Sequence, residues 1–312
     1  MTDFIRIPSN PVPQGGEVFY IETADGAKLR AALFPAASSG GTVVLMSGRS
    51  EFIEKYFEVI EDLRSRGFSV ATMDWRGQGL SSRALPDSEK GHIGDFETYK
   101  SDLRNFIEET VKPRFGGPYI LMTHSMGGLP ALMLLADGYD LFARAVLCAP
   151  MTEFHVKPAM RVLALVSTSI AMALGRSHAS VLGVQEYSLQ FEGNKLTSDR
   201  KRHDRFRELQ TAAPNACIFA PTYSWLHAAT KAIDEMHEPG RLDTIKTPVL
   251  IVSAEKDALV EHDDHVALAR DNKMIECVTV HNALHEILME RDEFRDQFWK
   301  AFDDFIAPVS GS

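Results

Sequence analysis

The chain has 312 residues, 45% of them hydrophobic and 24% charged, which is typical of a globular protein with a large core. Its formal net charge of −10 argues against a nucleic-acid-binding function, because phosphate backbones attract basic surfaces. The three cysteines lie far apart without a C-x-x-C pair, so we expect reduced, buried thiols.

The N-terminal segment gives no sign of export. Its first 14 residues include three prolines and lack an apolar core of signal-peptide length. The most apolar helical stretch, Val162 to Leu174, is short and contains hydroxyl residues, so it is not expected to span a bilayer. We therefore expect a cytoplasmic protein, and a transient contact with a membrane surface stays open.

The first half of the chain alternates between predicted strands and helices. Short apolar or alternating segments predict the strands Glu17–Thr23, Lys28–Phe34, Thr42–Met46, Phe68–Met73, Tyr119–Met122 and Ala143–Cys148. Helical periodicity predicts Tyr56–Arg66, Phe96–Val111 and Leu129–Ala136. The first two strands form a hairpin across Asp25-Gly26. The alternation predicts the α/β class, with a mostly parallel, doubly wound sheet.

This alternation stops at Pro150 and resumes near Lys246. In the last part of the chain we predict strands at Val249–Ser253 and Ile275–Val280. We predict helices at His262–Arg270 and Asp292–Ile306. We therefore predict a core domain of residues 1–149 and 247–312, interrupted by a helical insertion of residues 150–246. An insertion between two strands of one sheet is well placed to cover the carboxyl ends of the strands as a lid.

Ser125 is the candidate nucleophile. It follows a predicted strand directly and precedes Gly127, Gly128 and a helix. A tight strand-to-helix turn pushes a side chain out of the sheet and points backbone N–H groups at a developing negative charge. The turn departs from the G-x-S-x-G pattern because Thr123 replaces the first glycine, so we expect it to be strained but intact. A serine that merely caps the helix is the alternative.

A serine hydroxyl needs a base to accept its proton, and an imidazole base needs a carboxylate to orient it. Asp257 and His285 each follow one of the last two predicted strands. We predict Asp257 as the orienting acid and His285 as the base. Glu255 is the rival acid, and His281 is the rival base.

A tetrahedral oxyanion would need two backbone donors. We predict the N–H groups of Met126, which follows the nucleophile, and of Arg49, in the loop after the third strand where Gly48 permits close approach. Each such donor typically contributes about 3 kcal/mol of transition-state stabilisation.

Other polar clusters have structural interpretations. His124 is expected to be a packing residue. The group His262, Asp263, Asp264 and His265 opens a helix, where the dipole favours acids, so we predict no metal site. The segment Asp74–Ser81 has two glycines but neither the G-x-G-x-x-G spacing nor a P-loop lysine, which predicts a turn rather than a nucleotide site. No cofactor is expected.

Several motifs together span the chain from about Gly16 to Ile306. They are Ser47-Gly48-Arg49-Ser50-Glu51 with Lys55-Tyr56, Asp74 to Ser81, Gly91-His92-Ile93 with Asp95-Phe96, Tyr99 and Asp102-Leu103, His124 to Gly128, and Ala283-Leu284-His285-Glu286. With these motifs the chain resembles the α/β-hydrolase superfamily, and within it the serine hydrolases grouped with bacterial lysophospholipase L2 and monoacylglycerol lipase. Ser47 departs from the pattern, since monoacylglycerol lipases carry His there.

The resemblance implies an α/β-hydrolase fold with a helical lid and a triad of Ser125, Asp257 and His285. It also implies hydrolysis of a carboxylic ester, with one acyl chain on a glycerol or glycerophospho group, through acylation of Ser125. Residues that bind the substrate are not assigned, and the oligomeric state is not predicted. A peptidase or amidase of the same fold and a catalytically dead binding protein are the alternatives.

Two features of the insertion have competing interpretations. The apolar face formed by Met160, Leu163, Val166, Ile170 and Ala173 suits an acyl chain, but we favour packing on the body. A basic cluster, Arg200, Lys201, Arg202, Arg205 and Arg207, could meet a phosphate head group. Interleaved acids favour instead a solvated helix with internal ion pairs.

Overall fold

A computed structural model describes residues 3–38, 40–181 and 190–310. Its strands are β1 (Glu17–Glu22), β2 (Lys28–Phe34), β3 (Thr42–Met46), β4 (Ser69–Met73), β5 (Tyr119–His124), β6 (Phe142–Cys148), β7 (Val249–Ala254) and β8 (Ile275–Val280). Its α-helices are α1 (Phe57–Ser65), α2 (Phe96–Phe106), α3 (Gly128–Ala136), α4 (Pro158–Ala173), α5 (Arg200–Ala212), α6 (Tyr223–Met236), α7 (His262–Asp271) and α8 (Asp292–Ser310).

The described strands form one sheet in the order β1-β2-β4-β3-β5-β6-β7-β8. Strand β2 runs antiparallel to β1 and β4, and the remaining neighbours are parallel. The predicted mostly parallel, doubly wound α/β sheet and its antiparallel hairpin are therefore confirmed.

The inner strands β2 to β7 are buried on both faces of the sheet, which explains their continuous apolar sequences. In β3, Val44 and Met46 point to the core beneath α2, α3 and α6, whereas Val43 and Leu45 point to the core beneath α1 and α8. Of the cysteines, Cys148 and Cys217 are buried and Cys277 is partly exposed, and all three are free thiols.

Some element boundaries differ from the sequence prediction. The first predicted helix begins as a 3₁₀ turn, Ile53–Tyr56, and the α-helical part of the second ends at Phe106 and continues as a π turn, Ile107–Val111. Strand β5 extends past Met122 to His124, because Thr123 and His124 still pair with β6. Backbone pairing does not depend on side-chain polarity, so hydropathy alone ends the strand too early.

The predicted insertion contains α4, α5 and α6, and none of its described residues belongs to a strand of the main sheet. Helix α6 packs against α2, α3 and α4. Residues 182–189 of this segment lie outside the described residues, as do 1–2, 39 and 311–312. The division into a core and a lid domain stays a prediction.

The apolar face of α4 is exposed, so the prediction that it packs on the body is wrong. Met160, Leu163, Val166 and Ile170 are 50–57% exposed, so they do not pack on the body. The buried residues of α4 are Thr168 and Ala171 instead. Periodicity identifies an apolar face, but it does not show which face meets the protein. None of the described helices is long and apolar enough to cross a membrane.

Candidate active site

Ser125 lies at the turn between β5 and α3. Its φ of 48° is in the left-handed region, which a non-glycine residue rarely adopts. A short 3₁₀ helix, Ser125–Gly127, follows and leads into α3. Glycine is required at 127 and 128, because an added Cβ would lie 2.6 Å from the Ser47 carbonyl oxygen and 2.4 Å from the Pro150 Cβ, respectively.

Thr123 does not disturb this turn. It is fully buried within β5, where a branched residue is well tolerated. A Cβ at Gly128 would lie 3.5 Å from the Thr123 hydroxyl oxygen, which is an ordinary contact distance, so Pro150 rather than Thr123 requires this glycine. Within the described residues that hydroxyl has no hydrogen-bond partner.

The structure brings Ser125, His285 and Asp257 together. The Ser125 Oγ lies 2.8 Å from His285 Nε2, and His285 Nδ1 lies 2.7 Å from Asp257 Oδ2. The other oxygen of Asp257 accepts hydrogen bonds from the N–H groups of Leu259 and Val260. Burial favours a raised pKa for Asp257, but the neighbouring His285 and these hydrogen bonds outweigh it and lower the pKa.

The rival acid and base lie elsewhere. His281 Nδ1 is 3.3 Å from Glu255 Oε1, and both side chains are largely exposed. Glu255 also accepts a hydrogen bond from the Asn282 N–H. The two rivals therefore bind each other at the surface instead of contacting Ser125.

The loop after β3 approaches the serine closely. A Cβ on Gly48 would lie 3.1 Å from the Ser125 Cβ, which explains the glycine. The Gly48 N–H donates to the carboxylate of Glu51, so it is already engaged, and Arg49 stays the predicted donor from this loop. Arg49 and Met126, the two predicted oxyanion donors, both border the cavity that contains Ser125.

Several charged groups form a buried network beside the serine, and the sequence did not predict it. Lys55 Nζ lies 2.6 Å from a carboxylate oxygen of Glu51 and 2.6 Å from one of Glu286. Glu51 also accepts a hydrogen bond from the Tyr56 hydroxyl at 2.6 Å and lies 3.2 Å from His124 Nδ1. All five residues are buried.

Charge pairing controls ionisation in this network. Burial disfavours the charged form of Glu51, yet Lys55 and His124 outweigh it and hold the pKa of Glu51 well below its ordinary value. Burial likewise opposes protonation of His124, but Glu51 raises the pKa of His124. His124 is thus more than a packing residue. The sequence does contain one sign of this network. Glu51 and Lys55 are four residues apart, which is a spacing that favours an ion pair.

The cluster His262, Asp263, Asp264 and His265 lies in the first turn of α7, as predicted. His262 and His265 contact Ser253 through their Nδ1 atoms at 2.8 and 2.6 Å, and Asp264 pairs with His237. No group of three or more His, Cys, Asp or Glu in the described part of the chain is arranged to hold a metal ion.

The glycine loop after β4 is held as a turn. The carboxylate of Asp74 accepts hydrogen bonds from the Ile53 and Leu80 N–H groups, at 2.9 and 2.8 Å. It also pairs with the buried Arg30. Asp74 is therefore occupied by the fold.

The basic cluster of α5 is paired mostly outside its own helix. Arg202 and Arg205 both bind Glu58 on α1, and Arg202 also binds Asp292. Burial alone would raise the pKa of Glu58, but these guanidinium groups lower it to about 2. The expectation of pairs internal to the helix is thus only partly right, because the main partner lies 144 residues earlier in the chain.

A cavity of about 430 Å³ opens at Ser125. Its lining is mostly apolar and comes from the core and from the insertion: Met126, Met151, Phe154, Leu196, Phe219, Pro221, Trp225, Leu226, Leu259 and Val260. Basic side chains complete it: Arg49, Lys195 and Arg207. A larger recess of about 730 Å³, between α1 and α8, is lined by paired charges and lies away from Ser125.

A mostly parallel sheet with a serine on a strand-to-helix turn, facing a histidine and an aspartate, defines the α/β-hydrolase class of proteins. Residues 37–292 match the family described as serine aminopeptidase, S33, and the chain belongs to this family.

Bacterial phospholipases are similar to this protein over most of the chain. The probable lysophospholipase L2 of Haemophilus influenzae is 29% identical over 273 residues, covering 87% of this chain and 85% of that protein. Phospholipase YtpA of Bacillus subtilis is 37% identical over 222 residues, covering 70% and 76%. Among solved structures, a soluble variant of monoglyceride lipase from Saccharomyces cerevisiae, in complex with a substrate analogue, has a TM-score of 0.73 at 20% identity and covers 94% and 96%.

These comparisons confirm the resemblance to the α/β-hydrolase superfamily and the predicted fold class. They also confirm the prediction of a carboxylic ester hydrolase at the level of the enzyme class.

Proposed function

We propose that the protein is a lysophospholipase or monoacylglycerol-type lipase that works through an acyl-enzyme on Ser125. One observation carries the proposal: the hydroxyl of Ser125 lies 2.8 Å from His285 Nε2, while Asp257 holds the other ring nitrogen. This is hydrogen-bonding distance for a nucleophile and its base.

The proposed reaction has two halves. His285 Nε2 accepts the Ser125 proton as Oγ attacks the ester carbonyl carbon, and the oxyanion accepts hydrogen bonds from the backbone N–H groups of Arg49 and Met126. The leaving alcohol takes the proton from His285, which leaves an acyl group on Ser125. A water molecule then gives its proton to His285 and attacks the acyl carbonyl, and the fatty acid leaves as Ser125 regains its proton. Asp257 keeps the proton of the imidazole on Nδ1 throughout.

The cavity supports a single acyl chain as the apolar part of the substrate. Its volume of about 430 Å³ and its mostly apolar lining provide space for an acyl chain beside the nucleophile. The relatives named as lysophospholipases and monoglyceride lipases support the same substrate class.

The alternatives are weaker. An aminopeptidase would need an acid to hold the substrate α-ammonium, and the described lining of the cavity at Ser125 contains no carboxylate. Glu51 and Glu286 border a smaller recess beside His285, but both are paired with Lys55. A dead binding protein gives no reason for the hydrogen-bonded order of Ser125, His285 and Asp257.

We also propose that the apolar face of α4 contacts lipid surfaces. Its four large residues are at least half exposed, and they lie on the insertion that contributes to the cavity. An exposed apolar face of this kind commonly marks an interaction surface.

Hydrolysis assays with p-nitrophenyl esters of increasing chain length, beside lysophospholipids, monoacylglycerols and aminoacyl p-nitroanilides, test the proposed function. We expect turnover of the lipid esters and of the longer p-nitrophenyl esters. Faster cleavage of the anilides would support the peptidase alternative, and no turnover of any ester would refute the proposal.

A further inference from the structure

We propose that Lys195 and Arg207 form an anion subsite that binds the phosphate of a glycerophospho leaving group beside Ser125. The inference rests on the proposed function and narrows its substrate class from glycerol esters in general to lysophospholipids.

The charged side chains of the cavity lining are basic. The whole chain carries a formal charge of −10, yet the charged residues that line the described part of this cavity are Arg49, Lys195 and Arg207. Such a local excess of positive charge, in an otherwise acidic protein, attracts an anionic ligand. Binding of a neutral monoacylglycerol would not require this positive charge.

Both proposed cations border the cavity that opens at Ser125. Arg207 borders both the main cavity and the smaller recess that contains Ser125 and His285. Lys195 borders the main cavity and is exposed. The apolar lining comes largely from other segments, such as Met151–Phe154 and Leu259–Val260. An acyl chain and an anionic head group can therefore occupy different parts of one cavity.

The fold fixes the backbone segments that carry the two cations. The Asn194 side chain accepts hydrogen bonds from the N–H groups of Leu196 and Thr197, which shapes the loop around Lys195. That loop is tied to the core, because the Leu196 carbonyl accepts a hydrogen bond from the Glu286 N–H at 2.8 Å.

Helix α5, which carries Arg207, is fixed to α1 by the pairs of Arg202 and Arg205 with Glu58. A cation on a fixed backbone segment loses less entropy on binding a phosphate than one on a flexible loop. An arginine offers a fork of donors to phosphate oxygens, while a lysine acts as a point charge. Arg207 is the arginine of the cluster that borders the cavity, and its guanidinium group also contacts His203 and Gln210 on its own helix.

Kinetics with two substrates of equal acyl chain test the subsite. We would measure kcat/KM for 1-lauroyl lysophosphatidylglycerol and for 1-lauroylglycerol, below the concentrations at which they form micelles, in wild type, Lys195→Met, Arg207→Met and the double variant. Lys201→Met removes an exposed cation of the same helix outside the cavity and is the matched control.

We expect the double variant to lower the ratio of the two kcat/KM values at least about tenfold, mainly through a higher KM for the phospholipid, since hydrogen bonds to charged groups are strong. Arg207→Lys should restore part of the ratio, and Lys201→Met should leave it unchanged. Equal losses on both substrates would overturn the subsite while leaving ester hydrolysis intact.

Binding of sn-glycerol 3-phosphate by calorimetry tests the subsite without turnover. In Ser125→Ala we expect binding that the double variant abolishes, and weaker binding of inorganic phosphate than of glycerol 3-phosphate. No binding, or binding unaffected by the double variant, would refute the subsite. Equal binding of the two ligands would refute recognition of the glycerophospho group. Absence of ester turnover, by contrast, would refute the proposed function.

Discussion

The ammonium group of Lys55 lies 2.6 Å from a carboxylate oxygen of Glu286, the residue that follows His285. The same ammonium group lies 2.6 Å from Glu51, whose carboxylate accepts the N–H of Gly48. One buried cation therefore links the loop that carries the proposed oxyanion donor Arg49 to the loop that carries the proposed base.

Glu51→Gln should weaken this link. The amide keeps the shape but loses the charge, so Lys55 and His124 lose part of their compensation. Breaking a buried ion pair costs about 3–5 kcal/mol of stability. We also expect kcat to fall by about tenfold or more with a much smaller change in KM, since a displaced oxyanion donor acts mainly on the transition state.

Glu61→Gln is the control, because Glu61 is an exposed residue paired only with its helix neighbour Arg64 among the described residues. Urea unfolding and steady-state kinetics measure both effects. An unchanged kcat in folded Glu51→Gln would contradict the positioning role.

Asp257→Asn should separate the proposed acid from its rival. A neutral amide cannot stabilise the imidazolium of His285 and favours the wrong tautomer, so we expect kcat to fall by about 10³–10⁴-fold. Glu255→Gln should remain close to wild type, because Glu255 pairs with His281 at the surface. The reverse order of effects in p-nitrophenyl ester assays would show that the acid is assigned wrongly.

The stability of the fold should depend on pH through His237. A hydrogen bond to Asp264 raises the pKa of His237 to about 9, and the unfolded chain has a value near 6.5. The folded state thus binds the proton more tightly, so this contribution is full below about pH 6.5 and is lost as the pH rises through 9.

His237→Gln should therefore destabilise the protein at pH 6 and have little effect at pH 10. Urea midpoints at the two pH values measure the difference, and Asp264→Asn should show the same trend. A loss that is equal at both pH values would mean that packing of His237, rather than its charge, is responsible.

The exposed face of α4 should control association with lipid. Leu163→Ser with Val166→Ser removes two half-exposed apolar side chains, and we expect roughly tenfold or greater weakening of vesicle binding. Val266→Ser, at an exposed apolar position on α7, is the matched control. Co-sedimentation with phosphatidylglycerol-containing vesicles measures the effect, and equal binding by all variants would contradict the proposed contact.

The positions of Ser125, Asp257 and His285 could be anticipated because each follows a recognisable apolar strand. Parallel strands end at a common edge, so residues distant in sequence meet there. Their catalytic roles stay predictions, but the structure places them within hydrogen-bonding distance.

The charged network could not be anticipated in the same way. Buried acids and bases that pair across the chain, such as Lys55 with Glu286, look like solvated surface residues in a sequence. The sequence likewise does not indicate that Glu58 on α1 pairs with two arginines of α5. The exposure of the apolar face of α4 could not be predicted either, because amphipathic periodicity does not specify what a face contacts.

Labelling with a fluorophosphonate probe tests the central claim most directly. We predict that the wild-type protein is labelled at Ser125, identified by mass spectrometry of the modified peptide, and that folded Ser125→Ala is not labelled. Undiminished labelling of Ser125→Ala, or no labelling of the folded wild type, would contradict Ser125 as an activated nucleophile.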